Sequence, residues 1–232
     1  MTIAGNLEHL QQQIHEACRR ANRSDSEVAL MAVTKVHPVE VILEAYAAGH
    51  RLFGENRVQE FQEKSQHLTA LSDAQFHLIG PLQSNKTARA AELFHAIDAV
   101  DSLKIAQRLD AAAKVLGKKL PILVEVKLSH EESKHGLAPE ELPTLLAGIE
   151  PLESIQAVGL MTVPPWSEDA ELARPYFREL RKLRDQSLAS FPKLTQLSMG
   201  MSNDFRVAIE EGSTCVRVGT SIFGKRIMAS AG

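Results

Sequence analysis

Apolar residues along this chain fall into short consecutive runs, separated by longer stretches in which they recur three or four positions apart. The runs lie at 28–33, 51–53, 76–79, 96–100, 121–126, 157–161, 196–198 and 215–218. The first of them, Val28-Ala29-Leu30-Met31-Ala32-Val33, is apolar at every position rather than at alternate ones. That is the pattern of a parallel strand covered on both faces. The intervening stretches, most clearly 39–48, 102–116, 139–147 and 168–190, have helical periodicity. Pro38 and Pro139 suit first helical turns, where the missing N–H is harmless, and Asp101-Ser102 suits a cap. Before the first strand, residues 1–20 place Leu7, Leu10, Ile14 and Ala17 on one face of a further helix. The pattern predicts an α/β chain, a single (β/α)8 TIM-type barrel with an extra N-terminal helix, as one domain over 1–232. The competing architecture is a doubly wound open sheet, which usually has fewer strands and binds ligands at a switch point.

The bulk numbers narrow the function classes. Hydrophobic residues make up 44% and charged residues 24%, which excludes a disordered chain. A net charge of −3 with both signs interspersed offers no phosphate-neutralising stripe, so no nucleic acid is expected as partner. The polar N-terminal helix is not a signal peptide and no run is long enough to span a membrane. Cys18 and Cys215 stand far apart without metal-type spacing, which suits a reducing cytoplasmic location.

In a barrel of this type, function gathers at the C-terminal ends of the strands, and phosphate sites favour the loops after strands seven and eight. Lys35 lies two residues beyond the first strand, so its amine is expected at the barrel mouth. Poor solvation there favours the neutral amine, which attacks aldehydes. The bland alternative is a solvated loop lysine. After strand seven, Gly200 permits close backbone approach, Ser202 offers a hydroxyl, and a helix begins near Phe205; Gly219-Thr220-Ser221 repeats the arrangement after strand eight. Each could instead be a turn and a cap. Arg217, a charge within an apolar strand, needs an acceptor: either a ligand or a structural ion-pair partner.

Five segments carry a resemblance that spans nearly the whole chain: AVTKVHP at 32–38, GENRVQE at 54–60, HLIGPLQSNK at 77–86, LSMGMSND at 197–204 and VRVGTSIFG at 216–224. Together they closely resemble the pyridoxal phosphate homeostasis protein family. The resemblance implies a fold like the N-terminal barrel of alanine racemase, with pyridoxal 5′-phosphate (PLP) held on Lys35 as an internal aldimine. It also implies Ser202, Gly219 and Thr220 at the phosphate, Arg217 facing the pyridine nitrogen and Asn56 beside the cofactor. The implied role is storage, buffering or delivery of PLP to apo-enzymes, without substantial turnover. Lys127 departs from the family pattern, where asparagine is usual, and Lys134 matches a family lysine; both are candidates for secondary attachment.

Two other activities stay open from the residues. A barrel aldolase would also use a Schiff-base lysine. A racemase-type enzyme acting on a small amino acid would need a second base; Tyr46 and Tyr176 both lie in predicted helices, and no further C-terminal domain is expected after strand eight. For the same reason a monomer is expected. Two motif matches are discounted, and no metal site is expected. Gly219 to Lys225 fits a P-loop spacing but is followed by Arg226 instead of a magnesium-binding hydroxyl; His130 and His135 are one residue too far apart to share a zinc-binding helix face.

Overall fold

The structure, a computed structural model, describes residues 2–129, 131 and 135–224. Eight parallel strands close on themselves in sequence order: β1 (Ala29–Val33), β2 (Leu52–Glu55), β3 (Gln75–Leu78), β4 (Ala96–Val100), β5 (Leu120–Glu125), β6 (Ile155–Met161), β7 (Gln196–Met201) and β8 (Cys215–Val218). The closing pair sets Leu30 against Val216 and Met31 against Arg217. Closure excludes the open doubly wound sheet. Around the barrel run α2 (Val39–Ala47), α3 (Val58–Ser65), α4 (Thr87–Leu93), α5 (Leu103–Val115), α6 (Leu142–Ile149), α7 (Arg174–Ser187), α8 (Phe205–Glu210) and the one-turn α9 (Thr220–Phe223).

Side-chain alternation divides each strand between two environments. In β8, Val216 and Val218 join the hydrophobic layer beneath the helices, while Cys215 and Arg217 face the lumen. In β5, Ile122 and Val124 face outward, whereas Leu123 packs inward with Ala99 and Met161. The outer layer is the main core. Phe53, Phe61, Phe76 and Phe94 stack in a chain there, with ring centroids 4.7–5.2 Å apart. The lumen is markedly polar, because Asp98, Ser198 and Arg217 are buried in it.

The extra helix, α1 (Ile3–Arg20), starts where the Thr2 hydroxyl accepts from the Gly5 amide. It buries Leu7, Leu10, Ile14 and Ala17, as its periodicity predicts, against α8 and α9. The Asn6 amide donates to the Ile222 carbonyl at 2.8 Å, tying this helix to the β8–α9 corner.

Three local expectations need correction. Pro38 is the N-cap of α2 and not a first-turn residue. Ser102 occupies the N-cap of α5 but makes no side-chain capping bond. The periodic stretch 168–190 is two elements, a 3₁₀ turn at Ala170–Ala173 and then α7, with proline at the junction.

Candidate functional site

A cleft of about 510 Å³ opens at the C-terminal mouth of the barrel, within the usual size of small-molecule sites. Lys35, Asn56, Ser202, Arg217, Gly219 and Thr220 all line it. These residues come from the ends of β1, β2, β7 and β8, and closure of β8 on β1 brings the first and last of them together. Lys127 does not line the cleft. Lys134, His130, Lys225 and Arg226 lie outside the described residues. A larger cavity, about 740 Å³, sits at the opposite ends of β5 and β6 beside Ile149 and Phe191. That N-terminal face of a barrel serves stability and not chemistry, and none of the predicted site residues borders the cavity.

Close backbone approach assembles the walls. A side chain at Gly219 would meet the Val33 carbonyl at 3.1 Å, so the absence of one lets the β8–α9 loop lie against the segment that carries Lys35. A Cβ at Gly80 would fall 2.3 Å from the Asn56 carbonyl oxygen; this glycine seats the HLIG loop on the backbone of Asn56. Gly200 has a different task from the one its sequence suggests. With φ at +96°, its missing side chain makes room for Ala208 and Phe205, so it packs α8 onto β7 instead of admitting a ligand.

The two candidate anion loops are built differently. After β7, the Asp204 carboxylate accepts from the Met201 amide at 2.6 Å and the Asp204 amide donates to the Met201 carbonyl at 3.1 Å. This closed turn projects Ser202 and Asn203, and Asn203 Nδ2 donates to the Ser167 carbonyl of the β6–α7 connection. Burial pushes the Asp204 carboxyl above its usual range, although the Met201 amide and Arg217 pull it back. After β8, Gly219 is the N-cap of α9 and Thr220 its first residue; the Gly219 carbonyl accepts from the Ile222 and Phe223 amides, which leaves the Thr220 and Ser221 amides at the helix start without an intrahelical acceptor.

Arg217 sits under both loops. It is 4% exposed, and its guanidinium donates to Ser198 Oγ (2.6 Å) and to the Thr162 carbonyl (2.8 Å). Burial lowers its proton affinity, while Cys215, Asp98, Glu125 and Asp204 raise it. A guanidinium starts so far above neutrality that it keeps its charge here. Cys215 retains some surface, but its thiol lies in the lumen, where burial pushes it up to about 12. Cys18 is buried and likewise shifted upward by burial, so neither thiol is a nucleophile at neutral pH.

Sequence reading missed part of the cleft. Val163, Trp166 and Ser167 border it from the β6–α7 connection, and Ile79 and Pro81 from the loop after β3. Glu125 and His135 also line it and are the acid–base groups of the wall nearest β5. Spacing gave no signal for these, because barrel closure alone brings them to the mouth. Tyr46 and Tyr176 are on α2 and α7, away from the cleft; Tyr46 hydrogen-bonds to Asp73 and packs against Arg51.

A primary amine, two hydroxyls, unpaired helix-start amides and a buried guanidinium thus face one small volume. That donor set fits a small phosphorylated molecule bearing a carbonyl.

Comparison with known proteins agrees with the geometry. Residues 5–226 match the family model described as alanine racemase, N-terminal domain. The pyridoxal phosphate homeostasis protein of Vibrio cholerae is 43% identical over 229 residues, covering 97% of each chain. Its namesake from Escherichia coli is 40% identical over 233 residues, again covering 97% of each. The solved structure of PipY from Synechococcus elongatus with PLP bound superposes with a TM-score of 0.85 at 40% identity, covering 96% of this chain and all of that one. An alanine racemase from Clostridium difficile shares the fold alone, at 17% identity and a TM-score of 0.76, with 58% of its length covered. On the identity and the full-length coverage of these relatives, the chain belongs to the pyridoxal phosphate homeostasis protein family, built on the alanine racemase N-terminal-domain barrel.

Proposed function

We propose that this chain binds pyridoxal 5′-phosphate in the mouth cleft through a Schiff-base link to Lys35. It serves the intracellular homeostasis of that cofactor by storing, buffering or delivering it, without substantial turnover. The observation that carries this reading is the convergence of Lys35, Asn56, Ser202, Arg217, Gly219 and Thr220 on one cleft. The bound PipY relative and the family membership support it. When bound, PLP supplies an aldehyde and an electron-withdrawing ring.

The residues divide the work by their chemistry. Ser202 and Thr220 hydroxyls, with the first amides of α9, would hold the phosphate, and Gly219 lets the backbone come close. Asn56, on the backbone ledge seated by Gly80, would lie beside the cofactor. Arg217 has donors only and a fixed positive charge, locked by Ser198 and Thr162. With the ring nitrogen toward it, as the family resemblance implies, it would disfavour a second positive charge there and so weaken the electron sink that turnover requires. Cytoplasmic location, a monomeric state and apo-enzymes as recipients belong to the same proposal. Among the described residues no helix is long and apolar enough to cross a membrane.

Glu125 and His135 at the cleft wall give a racemase-type activity on a small amino acid a foothold. The test separates the two readings. Loaded protein is incubated with an apo-enzyme and with a panel of amino acids, while cofactor transfer and α-proton exchange are followed. Transfer without exchange is the expected result. Stereospecific exchange at about 1 per second or faster, a rate typical of enzymes, overturns the delivery reading.

A further inference from the structure

Lys35 is followed by a residue in an uncommon conformation. Val36 has φ at +59°, in the left-handed region, where a β-branched side chain is a genuine outlier. Strain of this kind persists only where the surroundings over-determine it. Here the surroundings are three charged side chains from the GENRVQE segment and the helix that follows. Glu60 Oε1 accepts from the Val36 amide at 2.6 Å. Lys64 Nζ donates to the Thr34 carbonyl (3.0 Å), to Glu60 Oε1 (2.7 Å) and to Glu55 Oε1 (2.9 Å). Glu55 Oε1 also accepts from the Thr34 hydroxyl at 2.7 Å. The amide of His37 closes the turn onto the Thr34 carbonyl at 3.1 Å.

Both neighbours of Lys35 are therefore gripped, Thr34 at its carbonyl and hydroxyl and Val36 at its amide. The inner side of the grip is buried, with Glu55 fully inaccessible and Lys64 8% exposed, while the contact of Glu60 with the Val36 amide lies toward the surface. Glu55 Oε2 is buried with no hydrogen-bond partner among the described residues, an arrangement poorly suited to stability alone. Burial pushes the Glu55 carboxyl up, against the pull of Lys64 and Thr34. Burial also acts upward on Glu60, but Lys64 and the Val36 amide outweigh it and hold Glu60 below its usual range. A charged acceptor thus stays fixed on the strained amide.

We propose that Glu60 and Lys64, backed by Glu55, form a clamp that imposes the strained turn and presets the Lys35 amine toward the cleft. They are positioning residues; of these four side chains only Lys35 would touch the cofactor. This rests on the reading of Lys35 as the attachment lysine. The step they favour is condensation of the neutral amine with an aldehyde, which forms the C=N bond and releases one water. The clamp stores strain that a slack turn would not need.

Val36→Gly is the control variant, because glycine occupies positive φ freely, Val36 is an exposed side chain and the clamp on its backbone amide stays in place. Its melting temperature is expected to be equal to or above the parent's, with covalent capture of PLP at Lys35, trapped with borohydride and timed by mass spectrometry, within about twofold of the parent's rate. Glu60→Ala removes the acceptor and is expected to slow capture about fivefold or more, whereas Glu60→Gln retains a carbonyl oxygen and restores most of the rate. Competitive labelling of Lys35 with acetic anhydride, without cofactor, is expected to change in Glu60→Ala and not in Val36→Gly. A parental capture rate in Glu60→Ala overturns the clamp while leaving Lys35 as the attachment site. A parent that gives no Lys35 adduct overturns both.

Discussion

Replacing Arg217 with methionine tests how the polar lumen is held together. The substitution keeps most of the side-chain volume and removes the charge. It leaves the Ser198 hydroxyl and the Thr162 carbonyl without their donor. It also strips the counter-charge from Asp98, Glu125 and Asp204, which act on the guanidinium and are buried. Removing one partner of a buried charge cluster costs about 3–5 kcal/mol, because the remaining charge is left uncompensated. In a chain of this size each kcal/mol lowers the melting temperature by about 2–4 °C, so a fall of roughly 6–20 °C is expected by calorimetry. The pH dependence carries a second signature. Without the guanidinium Asp204 loses a charge that pulls its carboxyl back down, so the native state of the variant binds a proton that the unfolded state has lost. Its stability then falls as pH rises above the unfolded carboxylate range, and the deficit against the parent shrinks on acidification. Asp204, already shifted upward by burial, acts in this direction even in the parent. A melting temperature within about 2 °C of the parent at pH 7, or a deficit that grows toward pH 5, would refute the electrostatic account.

Two further outcomes follow from the cleft. Ser202→Ala combined with Thr220→Val is expected to weaken PLP binding by roughly 1.5–3 kcal/mol per lost donor, about ten- to hundredfold each, when measured by equilibrium dialysis. Pyridoxal without its phosphate should then bind parent and variant almost equally; unchanged PLP affinity moves the phosphate elsewhere. Gly80→Ala places a Cβ against the Asn56 backbone and should cost about 1–3 kcal/mol in urea unfolding, with a matching loss of PLP affinity. Full stability in that variant would mean that the ledge beneath Asn56 is not as tight as its geometry indicates.

The barrel was legible because buried parallel strands are apolar at consecutive positions, and 96–100 and 215–218 coincide with β4 and β8. Helices α3 and α4 gave weaker signals for physical reasons. The buried face of α3 includes Lys64, a charge that breaks the apolar period, and that of α4 consists of Thr87 and two alanines. The site was legible where chemistry sits inside a contiguous segment, as with Lys35 or the loop at Gly219. No local pattern marks Glu55 and Lys64 as buried; β2 and α3 bury them where they fold over Thr34. Trp166 and His135 come to the cleft from connections whose course follows from closure of the barrel and from no local pattern.

Attachment of PLP at Lys35 is decided by borohydride reduction of the PLP-loaded protein followed by peptide mapping. Reduction converts the C=N bond into a stable secondary amine, which fixes the pyridoxyl group wherever it was attached. One pyridoxyl group per chain, on the peptide containing Lys35, is the predicted result. An adduct mainly on Lys127 or Lys134, or none at all, would contradict it.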